Sequence, residues 1–209
     1  MRLLLASTPR LALFCLGLGL CLASPAARGA DLPEILDFGG DAFRAGLEAR
    51  FDGPDVDDLF MAGENVRAES AVSGSVYLAG RRVVVNGAVA GDAHAVGATL
   101  RFERPIGGDA TLAGQSISLG AVGGDLRAAG SDIVLGGPVG GYALIAGERV
   151  EITGPITGDA RITARELVLG PEARIDGQLT LYEPEPGAFE LPEAVIAPDR
   201  VSRRVGEEW

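Results

Sequence analysis

From residue 40 onward, apolar and polar residues alternate in short runs. Val76/Leu78 and Val83/Val85 alternate with polar or small neighbours, and equivalent pairs recur at Ile117/Leu119, Val150/Ile152 and Leu167/Leu169. A period of two over stretches this short predicts β-strands. A further apolar point follows many of these pairs, at Val72, Val89, Ile106, Val139 and Ile156. Glycines separate the stretches and predict tight corners. No stretch of residues 40–182 carries a helical period.

The alternation is itself repeated. Equivalent units start at Gly40, Asp57, Gly74, Gly91, Gly108, Gly124, Gly141 and Gly158, 17 residues apart except for 16 between Gly108 and Gly124, and a partial unit starts at Gly177. A unit reads Gly-Asp-apolar-x-apolar-Ala-Gly-x-x-Val-x-Val-x-Gly-x-Val-x, with Gly80, Gly97, Gly114, Gly130 and Gly147 at its seventh position. Three short strands and three corners per unit describe one coil of an all-β, single-stranded, triangular parallel β-helix. Coils about 4.8 Å apart make eight of them a rod of roughly 38 Å.

This Gly-Asp-x-x-x-Ala-Gly-x-x-Val-x-Val-x-Gly-x-Val coil, repeated without inserted loops from Gly40 to Tyr182, resembles the bactofilin or polymer-forming cytoskeletal family. The resemblance implies a right-handed β-helix that polymerises end to end without nucleotide. It also implies a scaffold for envelope or shape-determining proteins.

The flanks differ in kind. Residues 1–29 read as a signal peptide, with Arg2 and Arg10 beside a 13-residue apolar run, Leu11 to Ala23, and cleavage after Ala26 or Gly29. The chain is therefore expected to be exported to the periplasm or cell envelope, held at a membrane only if that segment is retained. Residues 30–39 are expected to cap the first coil, with Leu32, Ile35, Leu36 and Phe38 folding over it. That coil carries Arg44 and Asp55 where later coils are apolar, as a terminal unit should. Residues 183–209 form a charged, proline-punctuated tail, expected to be extended or docked as a cap. The other end, with Leu179 and Leu181, is expected to associate head to head with a second copy.

Charge and cysteine content narrow the function. With 29 acidic residues against 18 basic ones, all Arg, the net charge of −11 disfavours nucleic acid. Both cysteines, Cys15 and Cys21, precede the repeat, so it holds no disulfide, cysteine-ligated metal or thiol nucleophile. The second position of the unit is a column of acids: Asp41, Asp58, Asp92, Asp109, Asp125 and Asp159. Such a column either holds cations or caps corners by accepting amide hydrogen bonds; capping is the simpler reading, and no metal or other cofactor is expected. The fourth position carries Phe43, Phe60, Tyr77 and His94, which should stack on the exterior. They form either a partner surface or a strip covered by the tail through Phe189, Leu191, Val195 and Ile196. Charges at the eighth position pair Glu64 with Arg81 and Glu148 with Arg165.

No constellation supports an enzyme. A β-helical lyase or hydrolase would need carboxylates on long loops, and a hexapeptide acyltransferase would need a six-residue period. Two readings remain: a self-assembling scaffold of the envelope, or a monomeric binding rod, adhesin-like or polysaccharide-binding, using the aromatic column.

Overall fold

The computed structural model describes residues 35–205. Its strands are β1 (Ile35–Phe38), β2 (Asp41–Phe51), β3 (Leu59–Ala68), β4 (Val76–Val85), β5 (Ala93–Phe102), β6 (Ala110–Leu119) and β7 (Leu126–Leu135). They continue with β8 (Ala143–Ile152), β9 (Pro155–Ile156), β10 (Ala160–Thr163), β11 (Glu166–Leu169), β12 (Arg174–Ile175), β13 (Leu179–Glu183) and β14 (Val201–Val205). Strands β2 to β8 pair in parallel, each with the next, and β10, β13 and β14 continue the ladder. The fold is a parallel β-solenoid of about eight coils.

Each long strand covers two faces of the coil, bending at the seventh-position glycine. The third face is narrower, reduced through most of its length to single bridges from Val72 through Val89, Ile106, Val122 and Val139 to Ile156. From the second coil to the seventh, residues at positions three, five, ten, twelve and sixteen form the core, as the alternation predicts, with Val122 one position early in the 16-residue coil. Volumes are matched coil by coil: bulky Phe102 shares its coil with Ala93 and Ala95.

The seventh-position glycines serve close approach rather than an unusual backbone angle. None of those from Gly63 to Gly147 has positive φ. A Cβ built on Gly114 would lie 2.5 Å from the carbonyl oxygen of Gly97 in the preceding coil. Only hydrogen fits where successive corners stack this tightly.

One corner absorbs every change in coil length. Between the twelfth-position residue and the next inward apolar residue lie Asn86, Gly87 and Ala88 in one coil, but only Gly120 and Ala121 in the 16-residue coil. In the last coil five residues, Gly170 to Arg174, separate Leu169 from Ile175. Registers recover on either side: Ile106, Val122 and Val139 stay bridged, and Ile175 pairs with Ile156.

The two ends depart from expectation. At the N-terminal end, β1 does not fold over the first coil. It pairs antiparallel with β2 through the Gly39–Gly40 turn, whose φ values of 69° and 99° suit a two-residue hairpin. A strand added at the edge leaves its side chains uncovered, so Ile35 (65% exposed), Leu36 and Phe38 (77%) remain in solvent. Leu32 and the signal-like segment lie outside the described residues.

At the C-terminal end the tail is not simply extended. It follows the helical path as a ninth, irregular turn. The Ile175 N–H donates to the Val195 carbonyl (2.9 Å), Val195 and Ile196 are buried, and β14 pairs in parallel with β13. Leu179 and Leu181 are accordingly interior residues, 1% and 0% exposed, on a strand paired along both edges. They are not an open end.

Candidate functional site

Three surface features were singled out by the repeat: the aromatic column, the acid column and the ends.

The aromatic column forms as expected. Parallel registers place Phe43, Phe60, Tyr77 and His94 side by side on β2 to β5. Ring centroids are 4.8, 4.7 and 5.1 Å apart, with interplanar angles of 8°, 7° and 13°. Strand spacing thus sets a stacked ladder whose rings turn their edges to solvent and their faces to one another. Beside it, toward the corner glycines, run Ala45, Ala62, Ala79 and Val96, and on its other flank run the acids Asp41, Asp58 and Asp92 with Ser75. A shallow groove lies over Tyr77, His94, Val96 and Thr111.

The tail does not cover this strip. Val195 and Ile196, with the partly buried Phe189 and Leu191, belong to the core cluster closed by the ninth turn, whereas the ladder occupies the first four coils. At the N-terminal end Leu36 stands opposite Phe43 and extends the apolar strip by one strand.

The acid column caps corners. The Ser75 N–H donates to Asp58 Oδ1 (2.7 Å), the Asp109 N–H to Asp92 Oδ1 (2.7 Å), and the Asp125 N–H to Asp109 Oδ1 (2.8 Å). The Tyr142 and Gln178 amides reach Asp125 and Asp159 in the same way, and Ser75 Oγ takes the acceptor role toward Asp92. Each carboxylate therefore satisfies an amide in the following coil. Arg127 bridges two of them, 3.4 Å from Asp109 and 3.5 Å from Asp125, with its guanidinium 4.9 Å from the centre of the Tyr142 ring. The Asp125 amide, opposed by partial desolvation and aided by Arg127, holds the Asp109 carboxyl below its ordinary value. Among the described residues no group of three or more His, Cys, Asp or Glu side chains is placed to hold a metal.

Of the two expected ion pairs, Glu64–Arg81 forms at 2.8 Å. Glu148 and Arg165 are joined instead by backbone, Arg165 N–H to Glu148 carbonyl, and the cross-coil ion pair is Arg149 with Glu166 one position along.

Two features at the ends were not anticipated. Glu183 occupies the seventh position of the last unit, where the units up to Gly147 hold glycine and the next holds Ala164, and is 2% exposed. It accepts from Arg203 (2.8 Å) and from the Gly187 N–H (2.9 Å), while Arg203 also donates to the Phe189 carbonyl. This latch fastens the ninth turn, together with Arg200 on the carbonyls of Asp176 and Gly177. At the other end Arg44 is ion-paired with Asp37 (2.6 Å), and its guanidinium lies 5.5 Å from the centre of the buried Phe51 ring.

Neither a family model, a curated protein nor a solved structure matches the chain. Its own geometry carries the functional argument.

Proposed function

We propose that this chain is a non-catalytic structural rod, exported to the cell envelope, that self-associates as a scaffold. The observation that carries this reading is the inequality of the two ends. The C-terminal end is finished by a latched ninth turn whose last strand, Val201–Val205, places two arginines among its five residues. Among the described residues the N-terminal end presents a short strand with exposed Ile35, Leu36 and Phe38, and Leu47, past the first corner of β2, is 76% exposed. Apolar side chains on an edge strand favour association with another chain, and charged edges oppose it. The coil repeat shared with bactofilin-like scaffolds supports the same reading, with the contact moved to the N-terminal end.

The binding-rod alternative is supported less well. Sugar recognition by aromatic residues uses open ring faces, and here the inner faces are occupied by neighbouring rings. What the column offers a partner, whether an envelope protein or a polysaccharide, is ring edges and the groove beside Val96.

Sedimentation velocity and negative-stain electron microscopy of protein purified after export test the proposal. A species heavier than the monomer, growing with concentration, is expected. A monomer up to the solubility limit, whose stability depends on an added envelope polysaccharide, would favour the binding rod.

A further inference from the structure

The two ends of the aromatic ladder differ. At the N-terminal end Leu36 stands opposite Phe43. At the other end the next rungs in register with His94 are Thr111 and then Arg127. Among the described rings His94 stacks on Tyr77 alone. Thr111 is exposed and carries no atom beyond the γ position, so it cannot cover the imidazole as Tyr77 does on the opposite face. The repeat thus leaves one rung empty of a ring, about 4.8 Å from His94, in the groove over Tyr77, His94, Val96 and Thr111.

The surroundings of that rung are chemically mixed. Val96, 56% exposed, and Ala113 form an apolar flank. On the other flank Asp92 accepts the Asp109 N–H through Oδ1, while its Oδ2 has no hydrogen-bond partner among the described residues. The Asp109 carboxyl is lowered first by the Asp125 amide, then by Arg127, and also by a protonated His94, so carboxylate and imidazole are neighbours. Arg127 lies beyond, 3.4 Å from Asp109 and 3.5 Å from Asp125.

One face of a pyranose is rich in C–H groups and suits an aromatic ring. Its hydroxyls both donate and accept, so they can answer Asp92 and Arg127 together. An anionic polymer would meet three acids against one arginine. A cationic one would meet Arg127, which already holds the outer oxygens of two of those acids. An aromatic side chain would stack but leave both polar groups unanswered. We infer that the rung over Thr111 is a subsite for a neutral pyranose of a polysaccharide, which stacks on the open face of His94 as the fifth rung of the ladder. The subsite goes beyond the scaffold reading and does not depend on it.

His94 is the only histidine in the chain, so its imidazole C–H signals in the NMR spectrum of the protein are unique. Titration with the neutral hexamers of N-acetylglucosamine and of glucose is expected to shift them for at least one of the two. Thr111→Phe fills the rung with a ring of the protein's own. It should weaken binding at least about 10-fold and leave far-UV circular dichroism unchanged. His94→Ala removes the stacking face without adding bulk and should weaken binding likewise, read by saturation transfer to the sugar protons. No shift with either hexamer up to about 10 mM would overturn the subsite and leave the scaffold reading standing. Binding undiminished in both variants would place the sugar elsewhere and overturn it too. Tighter binding of hexagalacturonate, or of the deacetylated and cationic hexamer, would overturn the neutral class of ligand.

Discussion

Arg44 and Arg203 terminate the same inward column of the solenoid, one at each end. Register runs from Arg44 through Met61, Leu78, Ala95, Leu112, Ala128, Ile145, Ile162 and Leu181 to Arg203. Each arginine is paired with an acid, Asp37 or Glu183. A guanidinium in a column otherwise apolar makes further coils costly to stack, the use of inward charge by which sheets avoid unwanted extension.

The Glu183–Arg203 latch leads to the first prediction. Arg203→Ala leaves a buried carboxylate with only the Gly187 amide. The ninth turn should lose about 1–3 kcal/mol, the cost of leaving a buried acceptor short of a partner, since Arg203 itself is partly exposed. Limited proteolysis within residues 184–200 should accelerate markedly, and adding Glu183→Gln should restore much of the protection. Unchanged proteolysis in Arg203→Ala would show that the tail is held by other contacts.

The glycine corners make a paired prediction. Gly114→Ala drives a methyl group against the Gly97 carbonyl and should destabilise by about 1–3 kcal/mol, the usual cost of overpacking. Gly120→Ala meets nothing within 4 Å and should be neutral or stabilising by up to about 1 kcal/mol. Urea denaturation of the two variants separates close approach from a general need for glycine.

Capping by acids predicts a specific pH response. The Asp109 carboxyl is held below its ordinary value in the fold, chiefly by the Asp125 amide, so its contribution is present above the unfolded-state value and is lost as pH falls through the folded one. The stability difference between wild type and Asp109→Asn should therefore be flat from pH 8 to about 5 and change only below about pH 4. Calcium and chelators should leave the melting temperature unchanged. A calcium-dependent rise of several degrees would instead require a cation on the column.

For the aromatic ladder, Tyr77→Ala removes two stacking contacts and His94→Ala one. At about 0.5–1.5 kcal/mol per aromatic pair, the Tyr77 change should cost more. A double-mutant cycle between Phe60 and Tyr77 should return a coupling energy in that range; zero coupling would mean that the stack is incidental to the backbone.

The core offers the most severe test. Ile152 is 1% exposed at the twelfth position, so Ile152→Asp buries an unpaired carboxylate and should abolish the folded far-UV spectrum. Ile152→Val should cost about 1 kcal/mol and keep it.

The coil was legible in the sequence because its information repeats. An alternation error in one unit is outvoted by seven others, and the same register that aligns Leu119 with Leu135 aligns the acids and the rings. The ends lack that redundancy. Val201–Val205 carries Arg203 where the repeat calls for an apolar residue, so its strand character depends on β13 lying beside it. Glu183 reads as a surface acid until Arg203, 20 residues later, is brought against it. The hairpin was visible in principle, since Gly39–Gly40 between alternating residues is a turn signal. The repeat begins at Gly40, however, which drew the preceding strand into the role of a lid. The charge pairing of Glu148 failed for a smaller reason: register sets which residues are neighbours, and rotamers decide which of them touch.

The corner after the twelfth position has a use beyond accommodating drift. Because the ladder resynchronises within one coil, a segment of foreign sequence spliced between Leu119 and Val122 has nowhere to propagate its extra length. All such splices, made in different coils, would emerge along a single edge of the rod at multiples of the strand spacing. The molecule is thus a ready-made display rail, on which peptides or enzymes mounted at chosen coils would sit at separations set in steps of about 4.8 Å.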